Sequence, residues 1–330
     1  MRELYDKVNA ILETVCFDSI WAGFAPCDFV LYDEEVVCFK DKMMPWDNRF
    51  LGNTAKEIDG LMTAIWSVPN PDDEDAELLV MGIVHEMFHV FQQQGKWRRA
   101  DEFAIFAYPH DLDNYRLKMR ENHYLAKALS ENSLAAIELF IALRHARRHI
   151  IGDAINQELL IETFEGAAEY AGLMALKQVS QEKYLQQVQR HINYICDVEK
   201  LFNMRRVSCI VGGIACLVLD LFDIDFYQPM PEGKLLIELL QFSSSKVDSA
   251  YFNFKQDLQG RFDEFHKTAG DAVERNSLIT GFDPMNMERL GDEILCNNFI
   301  VLDGEFIQGP VLLIMENGSQ QKVKGYVKQL

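Results

Sequence analysis

The segment that most limits what this chain can become is one apolar helix with three ionisable side chains at its centre. The stretch from Pro71 to Gln94 is predicted to form a single helix. Asn70 would cap it, Pro71 would open it, Asp72, Asp73 and Glu74 would face the positive end of the dipole, and Gly95 would stop it. Leu78 to Val84 is apolar on every side, and Met87, Phe88, Val90 and Phe91 continue the pattern, so the helix belongs inside a core. Yet His85, Glu86 and His89 sit in its middle. Leaving each of them buried and unpaired would cost about 1–3 kcal/mol apiece. They need a shared partner.

A metal ion is such a partner. Residues four apart lie on one helix face, so both imidazoles can point at the same ion, as in the HExxH arrangement. Glu86 is turned about 100° from His85, where it reaches a water held by the ion without becoming a ligand. A zinc site that performs chemistry takes a third protein ligand and leaves a place for water. The helix expected over Ile155–Gln178 offers Glu158, Glu162, Glu165 and Glu169, spaced 4, 3 and 4 along one stripe. Gly166, Ala167, Ala168, Ala171 and Gly172 surround the second half of that stripe and permit a close helix contact. Glu165 and Glu169 are therefore expected to face the metal helix, and Glu158 and Glu162 to face solvent.

His85-Glu86-Met87-Phe88-His89, followed by Glu165-Gly166-Ala167-Ala168-Glu169-Tyr170, resembles the gluzincin branch of the zincin metallopeptidases. That branch includes thermolysin-like proteases and aminopeptidases with an EGxA motif. With Phe91-Gln92 after the first motif, the pattern is also similar to bacterial zinc peptidase-like proteins. The resemblance implies a Zn2+ cofactor, Glu165 as third ligand with Glu162 as the alternative, and Glu169 as the carboxylate that orients a ligand histidine. It implies hydrolysis of peptide or protein substrates through a zinc-activated water with Glu86 as general base. By analogy, an extended substrate would pair with an edge strand just before the metal helix, for which Leu61–Trp66 is the natural segment. The chain departs from the pattern in two places. The interval from His89 to Glu165 is longer than in the well-known gluzincins. Cys209, in Cys209-Ile210-Val211-Gly212, stands where a Tyr-x-x-Gly tyrosine would stabilise the intermediate, so Cys209 is expected to line the cleft; Tyr124, Tyr170, His123 and His191 are other possible donors. The alternative function is a zincin-fold protein that keeps the metal but acts as a binding or regulatory module.

The rest of the chain frames this site. Short strands are expected at Phe29–Tyr32, Glu35–Phe39 and Leu61–Trp66. Further helices are expected over Arg116–Ile150, Gln181–Phe202, Met204–Phe222 and Pro231–Phe242, with a loop at Ser243-Ser244-Ser245 and another helix to about Val273. Strands follow at Glu293–Leu302, Val311–Glu316 and Lys322–Val327, with hairpin signals at Asp303-Gly304 and Asn317-Gly318. The class is α+β, zincin-like: a β-rich region over 1–70 carrying the substrate edge strand, a helical metallopeptidase body over 71–280 and a small β region over 281–330.

The basic run Arg144-His145-Ala146-Arg147-Arg148-His149 is expected to complement a helix C-terminus, with Arg205-Arg206 as a competing clamp for a substrate carboxylate. A net charge of −19 disfavours nucleic acid and anionic membrane surfaces as partners. Seven scattered cysteines, none in a CxxC pair, suit reduced thiols in the cytoplasm.

Overall fold

A computed structural model describes residues 1–239, 247–316 and 318–329. Helices α1 (Arg2–Leu12) and α2 (Phe17–Ile20) precede a first sheet of β1 (Asp28–Tyr32), β2 (Val36–Cys38), β3 (Met43–Pro45), β4 (Thr54–Ile58) and β5 (Leu61–Ser67). The helical body comprises α3 (Ala76–Gln92), α4 (Leu112–Glu131), α5 (Leu134–Ile151), α6 (Ile155–Val179), α7 (Gln181–Ile195) and α8 (Met204–Leu221). After it come α9 (Val247–Lys267) and a second sheet of β6 (Ala269–Phe282), β7 (Met287–Leu290), β8 (Glu293–Cys296), β9 (Phe299–Leu302), β10 (Glu305–Gln308), β11 (Val311–Met315) and β12 (Lys322–Gln329). The architecture is α+β. None of the described helices is long and apolar enough to cross a membrane.

The first sheet runs β3-β2-β1-β5-β4. This corrects the expectation for Leu61–Trp66. That segment is an inner strand, parallel to β1 and antiparallel to β4, and the edge next to it is β4. Its sequence, Thr-Ala-Lys-Glu-Ile, is polar because one side of an edge strand meets water, and polarity hid it from a search for apolar runs. Asp59 and Gly60, both at positive φ, form the two-residue turn that joins β4 to β5.

Helix α3 begins later than expected, at Ala76. The Asp75 side chain accepts hydrogen bonds from the amides of Glu77 (3.1 Å) and Leu78 (3.3 Å), while 71–73 form a turn. Proline and acidic residues suit a turn as well as a first helical turn, and only Asp75 is followed directly by the apolar face. Trp66 of β5 packs over Gly82, where any Cβ would collide with the indole.

The helix expected over 116–150 is two helices. Asn132 adopts the left-handed conformation and Ser133 caps α5 through the Ala136 amide. Helix α7 stops at Ile195, seven residues before the expected Phe202. Helix α6 crosses α8 where Gly166 meets the Gly212 backbone, and a Cβ on either glycine would overlap the opposite main chain. That close crossing brings the acidic stripe of α6 against α8.

Residues 231–233 form a turn and 236–239 a 3-10 turn; the rest of the helix expected to Phe242, and the Ser243-Ser244-Ser245 loop, lie outside the described residues. Helix α9 ends at Lys267 and the second sheet begins at Ala269, so Val273 lies in a strand and not in a helix. Leu258, Phe262 and Phe265 of α9 pack on Leu295, Leu312 and Val327 of that sheet. The Asp303-Gly304 turn is present with both residues at positive φ; Asn317 lies outside the described residues.

Candidate metal centre

Helix α3 presents His85 and His89 one turn apart on the side that meets α6. On α6, Glu165 faces the pair, and its Oε2 stands 3.5 Å from both His85 Nε2 and His89 Nε2. The three ligand atoms lie within 4.8 Å of one another. The opposite ring nitrogens are held from behind. His85 Nδ1 is 3.2 Å from Glu169 Oε2, and His89 Nδ1 is 2.7 Å from Gln92 Oε1. Gln92 Nε2 donates to the Phe164 carbonyl at 2.8 Å, so its oxygen is the acceptor and His89 Nδ1 carries the proton. The His89 Nε2 lone pair is then directed at Glu165.

Electrostatics agree with a cation-shaped gap. Burial opposes a charge on His85, yet Glu165 and Glu169 more than offset it and push its pKa up to about 10. Burial likewise works against ionisation of the two carboxylates, and their imidazole partners, with Arg205 beside Glu165 and His191 and Arg206 beside Glu169, hold both well below the usual range. Two buried anions facing two imidazoles attract a proton or a cation. A donor set of two imidazoles and one carboxylate, each steadied by an outer hydrogen bond, fits a first-row divalent ion such as Zn2+.

Glu86 points elsewhere. It is buried, receives no hydrogen bond and no ion pair from any described residue, and burial raises its pKa. It opens on a cavity of about 440 Å3 shared with His89, Glu165, Arg205 and, from the edge strand, Thr54 and Ala55. A larger cavity of about 620 Å3, lined among others by Tyr115, Phe202, Arg261 and Arg289, includes none of these residues. The smaller one borders Glu86 and two of the three candidate ligands, His89 and Glu165.

The chain has no match among protein-family models, curated proteins or solved structures.

Three expectations about site residues are corrected. Glu158 and Glu162 are not solvated; both are buried and paired with cations. Arg144 contacts Glu121 and Glu162, its Nη2 donating to Glu162 at 2.7 Å, and Arg147 bridges Glu121 (2.7 Å) and Glu158, which Lys118 also meets. Glu162 is thereby excluded as an alternative ligand. Arg144 and Arg147 of the basic run are likewise core partners of α6 and α4, whereas Arg148 and His149 stay exposed in the last turn of α5. Cys209 reaches the site but stands behind it, its Sγ donating to Glu169 Oε2 at 3.7 Å, and it does not line the cavity. Of the other possible donors, His191 is taken by Glu169 at 2.5 Å, Tyr170 by Tyr227 at 2.6 Å, and His123 by the Met119 carbonyl.

Sequence reasoning missed two contributors. Gln92 enters the sequence pattern only beside Phe91, although its three-residue spacing from His89 places both on one helix face. Arg205, expected as a clamp for a substrate carboxylate, places its Nη2 3.2 Å from both Glu165 and Glu102, while its buried Nη1 has no hydrogen-bond partner among the described residues.

Proposed function

We propose that this chain is a zinc-dependent metallopeptidase of zincin-like fold, hydrolysing peptide bonds with Glu86 as general base. The observation that carries the proposal is the opposition of His85, His89 and Glu165 beside an unpartnered buried carboxylate, in a cavity bordered by a sheet edge. Zinc held by the three ligands would polarise a carbonyl and acidify a water.

The chain's own residues supply the remaining parts. β4 offers an extended peptide its unpaired edge, so that main-chain hydrogen bonds align the scissile bond along the cavity. Glu86, whose affinity for protons is raised by burial, takes the proton of the attacking water and returns it to the leaving nitrogen. The unpartnered Nη1 of Arg205 is the donor best placed for the negative charge that develops on the carbonyl oxygen, the part assigned to tyrosine in the resemblance. Glu169 and Gln92 keep the imidazoles in the ligating tautomer and orientation. The free thiols of all seven cysteines suit a reducing, cytoplasmic setting.

Digestion of a peptide library with and without a chelator tests this reading. Cleavage that stops with chelator and returns with zinc is the expected result. The Glu86→Gln variant should keep its metal and lose about 100- to 10,000-fold in rate. A parent protein that binds zinc but cuts no peptide would instead favour a metal-keeping binding module.

A further inference from the structure

Two guanidinium groups line the cavity beside the metal ligands, and their commitments differ. Arg205 is engaged by Glu165 and Glu102. Arg99, on the segment that leaves α3, is exposed, and among the described residues no carboxylate pairs with it. Its position is nevertheless defined. The guanidinium carbon sits 4.7 Å from the centroid of the Phe164 ring, and Phe164 in turn stacks on the His89 imidazole at 5.0 Å and 8°. A cation held over a ring face keeps N–H donors available to an anion.

From this arrangement we infer that the cavity selects substrates carrying a carboxylate near the scissile bond, and that Arg99 binds that carboxylate. The inference rests on the peptidase reading above and names the substrate class for the same site. The two successive ring spacings place the cation within the reach of about two or three extended residues from the metal ligand His89. The carboxylate can therefore be the C-terminus of a peptide cut close to its end, or an aspartate or glutamate side chain a residue or two beyond the cut. Arg205 cannot serve equally, because its charge is already met by two protein carboxylates.

Calorimetric titration of zinc-loaded, full-length Glu86→Gln protein separates these sources without relying on turnover. Three acetylated tetrapeptides serve as probes: tetra-alanine with a free C-terminus, its C-terminal amide, and an amidated peptide with glutamate in the third position. Binding of either carboxylate peptide about tenfold tighter than the neutral amide is expected, and which one gains identifies the source. Adding Arg99→Gln should erase that preference while leaving the amide's affinity unchanged, and Arg99→Lys should restore part of it, since lysine keeps the charge but not the fork. A preference that survives Arg99→Gln would assign the carboxylate to the metal and overturn the role of Arg99. Equal binding of all three peptides would overturn the inference and leave the peptidase reading standing. Absence of binding by every peptide would overturn both.

Discussion

Along α6, Glu158 and Glu162 sit among cations, whereas Glu165 and Glu169 sit mainly among imidazoles. The four glutamates share one stripe and one helix; Glu158, Glu162 and Glu169 are buried, and Glu165 is half-buried at the cavity. In the first half, Lys118, Arg144 and Arg147 match Glu121, Glu158 and Glu162 charge for charge, with Asn114 and Tyr108 closing the remaining hydrogen bonds. In the second half, Glu165 and Glu169 exceed the cations nearby: Arg205 touches one and divides itself with Glu102, and Arg206 approaches the other only to 3.9 Å. A buried anion without a matched cation is costly unless a cation arrives from outside. The saturated half therefore holds the helices together, and in the proposed function the unsaturated half takes up an ion.

If that division is right, substitutions in the two halves give opposite phenotypes. Glu165→Ala should lower zinc affinity by about a thousandfold, one ligand's part of the roughly 10–16 kcal/mol that a full structural zinc site supplies. The metal-free melting temperature should barely move, because Arg205 keeps Glu102; competition with a chromophoric chelator and thermal melts measure the two quantities. Glu158→Ala should do the reverse. It leaves Arg147 and Lys118 buried with a carboxylate removed, which costs about 3–5 kcal/mol of stability in denaturant titration. Zinc affinity per folded molecule should stay within about threefold. Equal loss of affinity in both variants would mean that the stripe acts as one unit.

Glu169→Ala sharpens the comparison at the junction. It removes the anchor of His85 without removing a ligand, so zinc affinity should drop about 10- to 100-fold. An affinity unchanged by Glu169→Ala would show that His85 is oriented by packing alone.

The smallest effect is in the pH dependence of the saturated half. Burial acts to raise the Glu158 pKa, but Arg147 and Lys118 outweigh it and hold the group well below its ordinary value. A depressed folded-state pKa stabilises fully above the unfolded value near about 4.3 and is lost as pH falls through the folded one. Stability of the metal-free protein should thus be insensitive to Glu158 between about pH 5 and 7 and decline in more acid solution, with a shallower decline in Glu158→Gln. Acid melts of the two proteins check this.

The parts legible in the sequence were those whose signal is local. His85, Glu86 and His89 fall within five consecutive residues of one helix, and the small residues of α6 announced a close crossing. Partners drawn from distant segments were not legible. Nothing near Glu158 reveals that Lys118 and Arg147 come to meet it, so an acidic stripe read as a solvated face. The edge strand β4 was hidden by the polarity that an edge requires, and Asp75 was obscured by a Pro-Asp-Asp-Glu run with similar capping chemistry. Cys209 was placed near the right residues, yet the helix rotation that directs it to Glu169 and not to the cavity depends on the glycine contact between α6 and α8.

The central claim, that His85, His89 and Glu165 form a divalent metal site, is tested most directly by metal content. Protein purified without chelator and examined by elemental mass spectrometry should carry close to one zinc per chain, and His85→Ala protein prepared alongside should carry almost none. A parent protein with no bound divalent metal, and none taken up when zinc is added, would contradict the claim outright.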